Sequence, residues 1–279
     1  MYGMELCVNL LANTGLADED VLRLIGKVGF DGYFPVWSEE KDLTNICAKG
    51  QELGLKLQSV HAPFSKVNSL WYPNEHTQAV MQRLKNCFRD SAQVEAPFVV
   101  IHPFITFTQN EATQAGIDHY GILVEEAKKL GVRLAIENVE GEAYLDALMD
   151  AFKNEAHVGF CWDTGHEMCY NHHRDLIADY GDRLFGTHLN DNLGVKDPAG
   201  SITFRDDLHL LPFDGIANWQ GIAHRLKDCG FAGPLTFELK LQTTLNGSDH
   251  LIYGQPSVED YLTQAYIRAC RVAALVKYR

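Results

Sequence analysis

Acidic and imidazole side chains stand at the ends of several short apolar runs, a position from which they could bind a metal ion. Glu137, Asp163, His188 and Glu238 each close such a run. A charged group at the end of a buried strand is unfavourable unless something pairs with it, and a bound cation is an effective partner. Because these residues come from four separate segments, the pattern predicts that the segments converge on one metal site.

The four residues supply three carboxylates and one imidazole. Such an oxygen-rich set suits Mn²⁺, Mg²⁺ or Co²⁺ better than a structural zinc site, which favours sulfur and nitrogen. We therefore expect one divalent cation, with Zn²⁺ retained as a candidate. Each residue also has an ordinary structural explanation when it is taken alone. Asp163 could cap a helix, and Glu238 could pair with Lys240, two residues further on.

A second set of polar residues accompanies the first and is expected either to contact substrate or to bind additional metal ions. This outer set comprises His61, His102, His166, Asp207, His209 and Lys240. His61 and His102 also close apolar runs, and each is followed within two residues by proline. An aspartate and a histidine in a loop are often only surface residues, so this alternative stays open for Asp207 and His209.

Other titratable residues are assigned supporting or structural roles. Asp191 follows His188 by three residues and is predicted to accept a hydrogen bond from it. Five histidines fall in predicted helices or turns and are expected to be solvated: His76, His119, His157, His172 and His173. The seven cysteines are scattered and form no Cys-x-x-Cys pair, which favours small core residues in a reducing compartment.

Alternating apolar segments must position these side chains. Strands are predicted at about 4–10, 31–36, 55–61, 97–102, 132–138, 157–163, 184–190 and 234–240, and most are continuous apolar runs typical of buried parallel strands. Helical stripes lie between them, for example Tyr120, Val124 and Ala127. Glycines such as Gly29 and Gly131 stand where a helix should end before the next strand.

Eight strand–helix pairs favour a single α/β domain over residues 1–279 with the (β/α)8 TIM-barrel architecture. A doubly wound open sheet uses the same alternation, but no Gly-x-Gly-x-x-Gly follows the first strand. The polar residues also cluster at the carboxyl ends of strands three to eight, as the mouth of a barrel requires. The longest connection, roughly 191–217, is predicted to cap the site.

Composition narrows the classes of partner. Lys and Arg number 24 against 37 Asp and Glu, a formal net charge of −13, which disfavours a nucleic-acid partner because such partners are bound largely through cations. No apolar run approaches the roughly 20 residues that a membrane helix needs. No secretory signal is evident at the amino terminus, so a soluble cytoplasmic protein without a membrane partner is expected.

The order of these motifs resembles the xylose-isomerase-like barrel superfamily. The resemblance extends over about residues 59–240 and rests on His61-Ala-Pro-Phe, His102-Pro, Glu137-Asn, Asp163-Thr-Gly-His, His188-Leu-Asn-Asp and Glu238. This superfamily includes sugar-phosphate isomerases and epimerases, ketose 3-epimerases, inosose dehydratases and the endonuclease IV type of DNA-repair nuclease. Its motifs are specific to the superfamily and much less specific to one activity.

The ketose 3-epimerases of this superfamily imply roles for individual residues. Their metal is held by Glu, Asp, His and Glu at strand ends, which match the four residues described first. Glu137 and Glu238 would also form the acid/base pair that moves a proton beside the carbonyl, while His166 would contact substrate. These epimerases carry an arginine six residues after the metal histidine, where this chain has Gly194. A 3-epimerase assignment is therefore less well supported than the isomerase/epimerase class.

The resulting hypothesis is a divalent-metal-dependent isomerase or epimerase acting on a sugar or sugar phosphate. Proton transfer would pass through a metal-stabilised enediolate, with His166 and Lys240 positioning substrate oxygens. An inosose-dehydratase-like lyase is one alternative, since it would begin with the same proton abstraction. A homo-oligomer remains open, because barrels with exposed outer helices often associate.

The endonuclease IV resemblance gives a second alternative, a zinc phosphodiesterase. That family binds three zinc ions with five His, two Glu and two Asp. All nine occur here in order: His61, His102, Glu137, Asp163, His166, His188, Asp207, His209 and Glu238. The net charge and the lack of an evident basic DNA-binding loop favour a small carbohydrate over DNA.

Overall fold

The computed structural model describes residues 3–107, 111–171, 174–195, 202–244 and 251–278. Within these ranges there are nine strands and nine α-helices. The strands are β1 (Leu6–Asn9), β2 (Gly32–Phe34), β3 (Lys56–Leu57), β4 (Val60–His61), β5 (Val99–Ile101), β6 (Leu134–Glu137), β7 (Val158–Asp163), β8 (Leu184–His188) and β9 (Leu235–Phe237). The helices are α1 (Asp18–Val28), α2 (Leu43–Glu52), α3 (Thr77–Gln93), α4 (Gln114–Lys129), α5 (Glu142–Ala151), α6 (Thr164–Cys169), α7 (Leu176–Tyr180), α8 (Trp219–Asp228) and α9 (Val258–Tyr278).

The nine strands pair in parallel and form two sheets. One sheet has the order β3-β2-β1-β9, and the other has the order β4-β5-β6-β7-β8. Single parallel bridges, Val36 to His61 and Leu189 to Phe237, join the edges of the two sheets. The strands therefore close into a barrel, which confirms the predicted (β/α)8 fold and is incompatible with an open doubly wound sheet.

The third predicted strand, residues 55–61, is divided between the two sheets. β3 pairs with β2, whereas β4 pairs with β5. Together they fill one position in the barrel, so nine short strands occupy eight positions. The other seven predicted strands are present, most of them shortened by one to three residues at one or both ends.

Amphipathic helices cover the outside of the barrel. In α4 the predicted stripe is buried, with Tyr120 and Ala127 each 1% exposed. α1 ends at Gly29, whose φ of 115° is the left-handed conformation that glycine adopts without strain. None of the helices in the described ranges is long and apolar enough to cross a membrane.

The histidines assigned to the surface differ in their environments. His76 and His157 are partly exposed, in agreement with the prediction. His119 is partly exposed as well, and its Nδ1 lies 2.7 Å from the carbonyl oxygen of Leu70. His172 and His173 lie outside the described residues.

Candidate metal centre

The carboxyl ends of four neighbouring strands bring together the residues expected to bind metal. Glu137, Asp163 and His188 are the last residues of β6, β7 and β8, and Glu238 directly follows β9. One ligand atom from each of the four lies within 4.8 Å of the others. Three carboxylates and one imidazole in so small a buried space are the donor set that a hard divalent cation favours, so these residues fit such an ion.

Glu137 is the central residue of a wider cluster. Its Oε1 lies 2.9 Å from Nδ1 of His188, and its Oε2 lies 3.1 Å from Nε2 of His102 and 3.2 Å from Nε2 of His61. The Glu137 side chain is fully buried. His61, His102 and Glu137 therefore form a second candidate ligand group, which shares its carboxylate with the first.

A third candidate group lies beside Asp163, whose Oδ1 is 3.8 Å from Nδ1 of His166. Nε2 of His166 and Nε2 of His209 lie 3.4 Å and 2.6 Å from the same Oδ2 atom of Asp207. His209 adopts a left-handed conformation with φ of 46°, and its Nδ1 faces the Glu238 carbonyl oxygen at 3.2 Å. The structure thus brings Asp207 and His209 to the site from a loop, rather than leaving them as isolated surface residues.

Lys240, the remaining member of the outer set, is exposed at the border of the site. It lines the same pocket as Glu238. Its backbone N–H donates to the carbonyl oxygen of His209 at 3.2 Å, which ties the segment after β9 to the loop that carries His209.

Burial and opposite charges act against each other throughout the cluster. Burial alone would raise the pKa of Glu137, but His188 and His102 lower it well below its usual value. Burial alone would lower the pKa of His188, but Cys161, Glu137 and Glu238 raise it well above its usual value. The metal-free centre is therefore a network of carboxylates and imidazolium groups that a cation would have to enter by displacing protons.

Asp163 differs from the other carboxylates because burial dominates and raises its pKa to about 6. Its oxygens accept hydrogen bonds from the backbone N–H of His166 at 2.8 Å and from the side-chain amide of Asn190 at 3.0 Å and 3.2 Å. The expected helix-capping role is thus present as well, since Asp163 is the N-cap of α6. Capping by one oxygen leaves the carboxylate within reach of the other ligands.

Buried asparagines hold the ligand-bearing strands in place. The Asn138 side chain accepts a hydrogen bond from the backbone N–H of Asp163 at 2.8 Å and donates to the Asp163 carbonyl oxygen and to Asn171. The carbonyl oxygen of Asn138 lies 2.8 Å from Nδ1 of His166. Sequence analysis gave these asparagines no role, although the Glu137-Asn and His188-Leu-Asn motifs contained two of them.

The predicted role of Asp191 is wrong. Its carboxylate accepts hydrogen bonds from the backbone N–H groups of Phe213 and Ala217 at 2.8 Å and 2.9 Å, and from the indole of Trp219 at 2.8 Å. The chain leaves β8 after His188, and an antiparallel bridge between Asp191 and Leu210 directs this carboxylate to the following connection. Asp191 therefore organises the loop instead of orienting the histidine.

A pocket of about 830 Å³ opens above the candidate ligand groups. Its lining includes the outer-set residues His61, His102, His166, Asp207, His209 and Lys240, together with Glu238. Glu137 lies beneath this lining. Sequence analysis missed the aromatic residues that line the pocket, which are Phe64, Phe107, Tyr170 and Phe204. Only Phe64 belongs to one of the sequence motifs, His61-Ala-Pro-Phe.

Comparison with known proteins agrees with this architecture. The chain is 28% identical over 261 residues to the uncharacterized protein y4fM of Sinorhizobium fredii, covering 81% of this chain and 76% of that protein. The crystal structure of IolI protein with a binding zinc atom aligns with a TM-score of 0.74 at 19% identity, covering 99% and 100% of the two chains. L-Ribulose 3-epimerase aligns with a TM-score of 0.73 at 14% identity, covering 99% of each chain.

A protein-family model matches most of the chain. The family model described as xylose isomerase-like TIM barrel matches residues 22–255, a range that contains every residue of the candidate ligand groups. Together with the closed parallel barrel, this match establishes that the chain belongs to the xylose isomerase-like TIM barrel family.

Proposed function

We propose that this protein is a divalent-metal-dependent isomerase or epimerase of a sugar or sugar phosphate. One observation carries the proposal: Glu137, Asp163, His188 and Glu238 form a four-residue donor group directly below a pocket of about 830 Å³. A cavity of this size is within the range of small-molecule sites. The zinc in the IolI protein and the epimerase activity named for L-ribulose 3-epimerase support the same assignment.

Glu137, Asp163, His188 and Glu238 would hold the cation. When bound, it would polarise the substrate carbonyl and offset the negative charge that develops when a neighbouring C–H bond is broken. Mn²⁺, Mg²⁺, Co²⁺ and Zn²⁺ all remain compatible with the donor set, which is one imidazole and three carboxylates.

Glu238 is the residue best placed to move the proton. Its side chain is 18% exposed and lines the pocket, so its carboxylate can reach a carbon beside the substrate carbonyl. Glu137 would act as the second acid/base group from below, on the opposite side of that carbon. Inversion at one carbon requires two such groups, whereas isomerisation between neighbouring carbons can use one.

The outer set would orient the substrate. His166, His209 and Asp207 are nearly buried and held by one another, so they present fixed polar atoms to hydroxyl groups. Lys240 is exposed at the pocket border, where its ammonium could contact a phosphate or a hydroxyl group at the far end of the sugar. Pre-positioned groups of this kind reduce the entropy lost on reaching the reactive geometry.

Deuterium exchange tests this proposal. The Mn²⁺-loaded protein is incubated in D₂O with a panel of ketoses and ketose phosphates, and incorporation is followed by NMR. We expect exchange at one carbon beside the carbonyl, and a loss of at least about 100-fold in Glu238→Gln, the lower end for general acid–base catalysis. Glu125→Gln, an exposed change on α4, is the matched control. Full exchange in Glu238→Gln would remove this residue from the mechanism, and loss of water from the product would indicate a lyase.

A zinc phosphodiesterase is the second candidate, because the structure forms several overlapping ligand groups rather than one. His61–His102–Glu137 and His166–Asp207–His209 could each hold a further ion beside the central group. Clustered cations can activate water and stabilise a leaving alkoxide. Elemental analysis near three zinc per chain, together with cleavage of DNA at abasic sites, would favour this function. One metal per chain and inactivity on such DNA would favour the isomerase.

A further inference from the structure

The pocket above the metal centre has an apolar side that the proposed sugar chemistry does not use. We call it the apolar wall, and it consists of Val36, Phe64, Ile105, Phe107, Tyr170 and Phe204. Four of these side chains are exposed to a degree unusual for large apolar residues. The exposed fractions are 45% for Val36, 42% for Phe64, 43% for Phe107 and 70% for Phe204.

The apolar wall begins at the candidate ligands themselves. The Phe64 ring stacks on His102 with ring centres 4.5 Å apart and planes 13° apart. The Tyr170 ring stacks in the same manner on His166 at 5.1 Å and 21°. Phe107 then contacts Tyr170 edge-on at 5.2 Å, which extends the apolar surface outward from the ligand groups. A molecule anchored at the metal centre would therefore meet aromatic rings as soon as it extends beyond that centre.

The polar and apolar parts of the pocket would contact different parts of a ligand. Glu238, the outer-set histidines and Asp207 offer donors and acceptors near the metal centre, whereas the apolar wall offers mainly ring faces and aliphatic carbon. Lys240, Thr106, Glu140 and Thr203 are the other polar residues that line this pocket. Hydroxyl groups pressed against the apolar wall would lose water without gaining a partner, which is unfavourable. Planar apolar groups would instead gain by burial and by stacking.

We propose that the substrate is a keto-sugar that carries an apolar planar group, such as an aryl glycoside whose sugar ring bears the ketone, with the sugar at the metal centre and the aromatic ring against the apolar wall. The sugar half of this assignment rests on the proposed function. The ring half rests on the exposed aromatic side chains and their continuity with His102 and His166.

A matched pair of ligands tests the proposal by binding rather than by turnover. Phenyl β-D-glucopyranoside and methyl β-D-glucopyranoside differ only in the group on the anomeric oxygen. Isothermal titration calorimetry of the Mn²⁺-loaded protein should give a phenyl affinity about tenfold or more above the methyl affinity, as burial of one aromatic ring predicts. In the double variant Phe107→Ala/Phe204→Ala the ratio should fall towards one. Ile122→Ala removes a side chain that is 50% exposed on α4 and should leave the ratio unchanged.

The other possible results of this experiment would overturn the proposal or confine it. Equal binding of the two glucosides, or a phenyl preference that survives in the double variant, would overturn the proposal. A dimer seen by sedimentation that the double variant dissociates would also overturn it, because the apolar wall would then be a subunit interface. Deuterium exchange separates this proposal from the proposed function. If the protein catalyses exchange but does not prefer the phenyl glucoside, only the proposed apolar subsite is wrong. If it prefers the phenyl glucoside but catalyses no exchange, only the isomerase assignment is wrong.

Discussion

At the scale of single residues, Glu137 shows how one carboxylate can serve two ligand groups. Its two oxygens face different histidines, Oε1 towards His188 and Oε2 towards His61 and His102. A fully buried carboxylate needs hydrogen bonds or a positive charge beside it, and His188, whose pKa is raised well above its usual value, supplies such a charge in the metal-free protein. The protonation of His188 is therefore tied to occupancy of the site.

The first prediction concerns protons released when metal binds. The pKa of His188 is raised well above its usual value in the metal-free protein, so near pH 7 its imidazole is protonated and cannot ligate. Binding of Mn²⁺ at pH 7 should release about one proton or more, and the apparent affinity should rise with pH until His188 is neutral. Calorimetric titrations in two buffers with different ionisation enthalpies measure this number.

The control for this titration is His224→Ala, because His224 is an exposed residue of α8 with a side chain 73% exposed. This variant should release the same number of protons as the unaltered protein. Identical binding enthalpies in the two buffers would show that no proton leaves, and would contradict a protonated His188.

The same network has a consequence for the stability of the metal-free protein. The pKa of His209 is raised to about 9, since Asp207 and Glu238 outweigh the effect of burial. A group whose pKa is raised on folding contributes stability below its unfolded pKa and loses it as pH rises through the folded value. The contribution of His209 is thus lost between about pH 6.5 and 9.

At the scale of elements, the connection from β8 to α8 determines whether the third ligand group exists. It carries Asp207 and His209, and its shape depends on Asp191, which accepts hydrogen bonds from three groups between residues 213 and 219. This carboxylate is fully buried. Its charge is therefore offset by N–H donors of the loop rather than by solvent.

The second prediction is that Asp191→Asn loosens this connection. An amide has one acceptor oxygen in place of two, so its NH₂ group would face an N–H donor and leave hydrogen bonds unmade. We expect hydrogen exchange at Phe213 and Ala217 to accelerate by about tenfold or more, which corresponds to the loss of roughly one buried hydrogen bond to a charged group. Exchange within β6 and β7 should change little. Asp182→Asn, an exposed change, is the control, and equal exchange in both variants would contradict the role of Asp191.

The elements also show which parts of the site the sequence could predict. Apolar runs that end in Glu137, Asp163 and His188 predicted correctly that these residues meet, because parallel strands of a barrel place their carboxyl ends at one face. The hydrogen-bond partners of Asp191 could not be predicted, because they depend on an antiparallel bridge within a long loop. The periodicity of apolar residues in the sequence does not indicate such a bridge. The apolar wall likewise depends on the loops after β2, β4, β5 and β8 and on the segment that follows α6, whose paths are set by tertiary packing.

At the scale of the whole molecule, the candidate metal centre spans the boundary between the two sheets. Glu137, Asp163 and His188 end strands of the five-stranded sheet, whereas Glu238 follows β9 of the four-stranded sheet. β8 and β9 meet through the single bridge from Leu189 to Phe237. A cation held by all four residues would therefore link the two sheets at the junction between β8 and β9.

The last prediction is that metal removal loosens this junction more than the rest of the barrel. The junction relies on the N–H of Leu189, which donates to Thr236 at 2.8 Å, and on the N–H of Glu238, which donates to Leu189 at 3.3 Å. Chelation should accelerate exchange at these two amides by at least about tenfold, because local opening there no longer requires release of the ion. Amides within β6 and β7 lie inside one sheet and should change much less. A uniform acceleration across all strands would instead mean that the metal stabilises only the fold as a whole, and would contradict a link between the sheets.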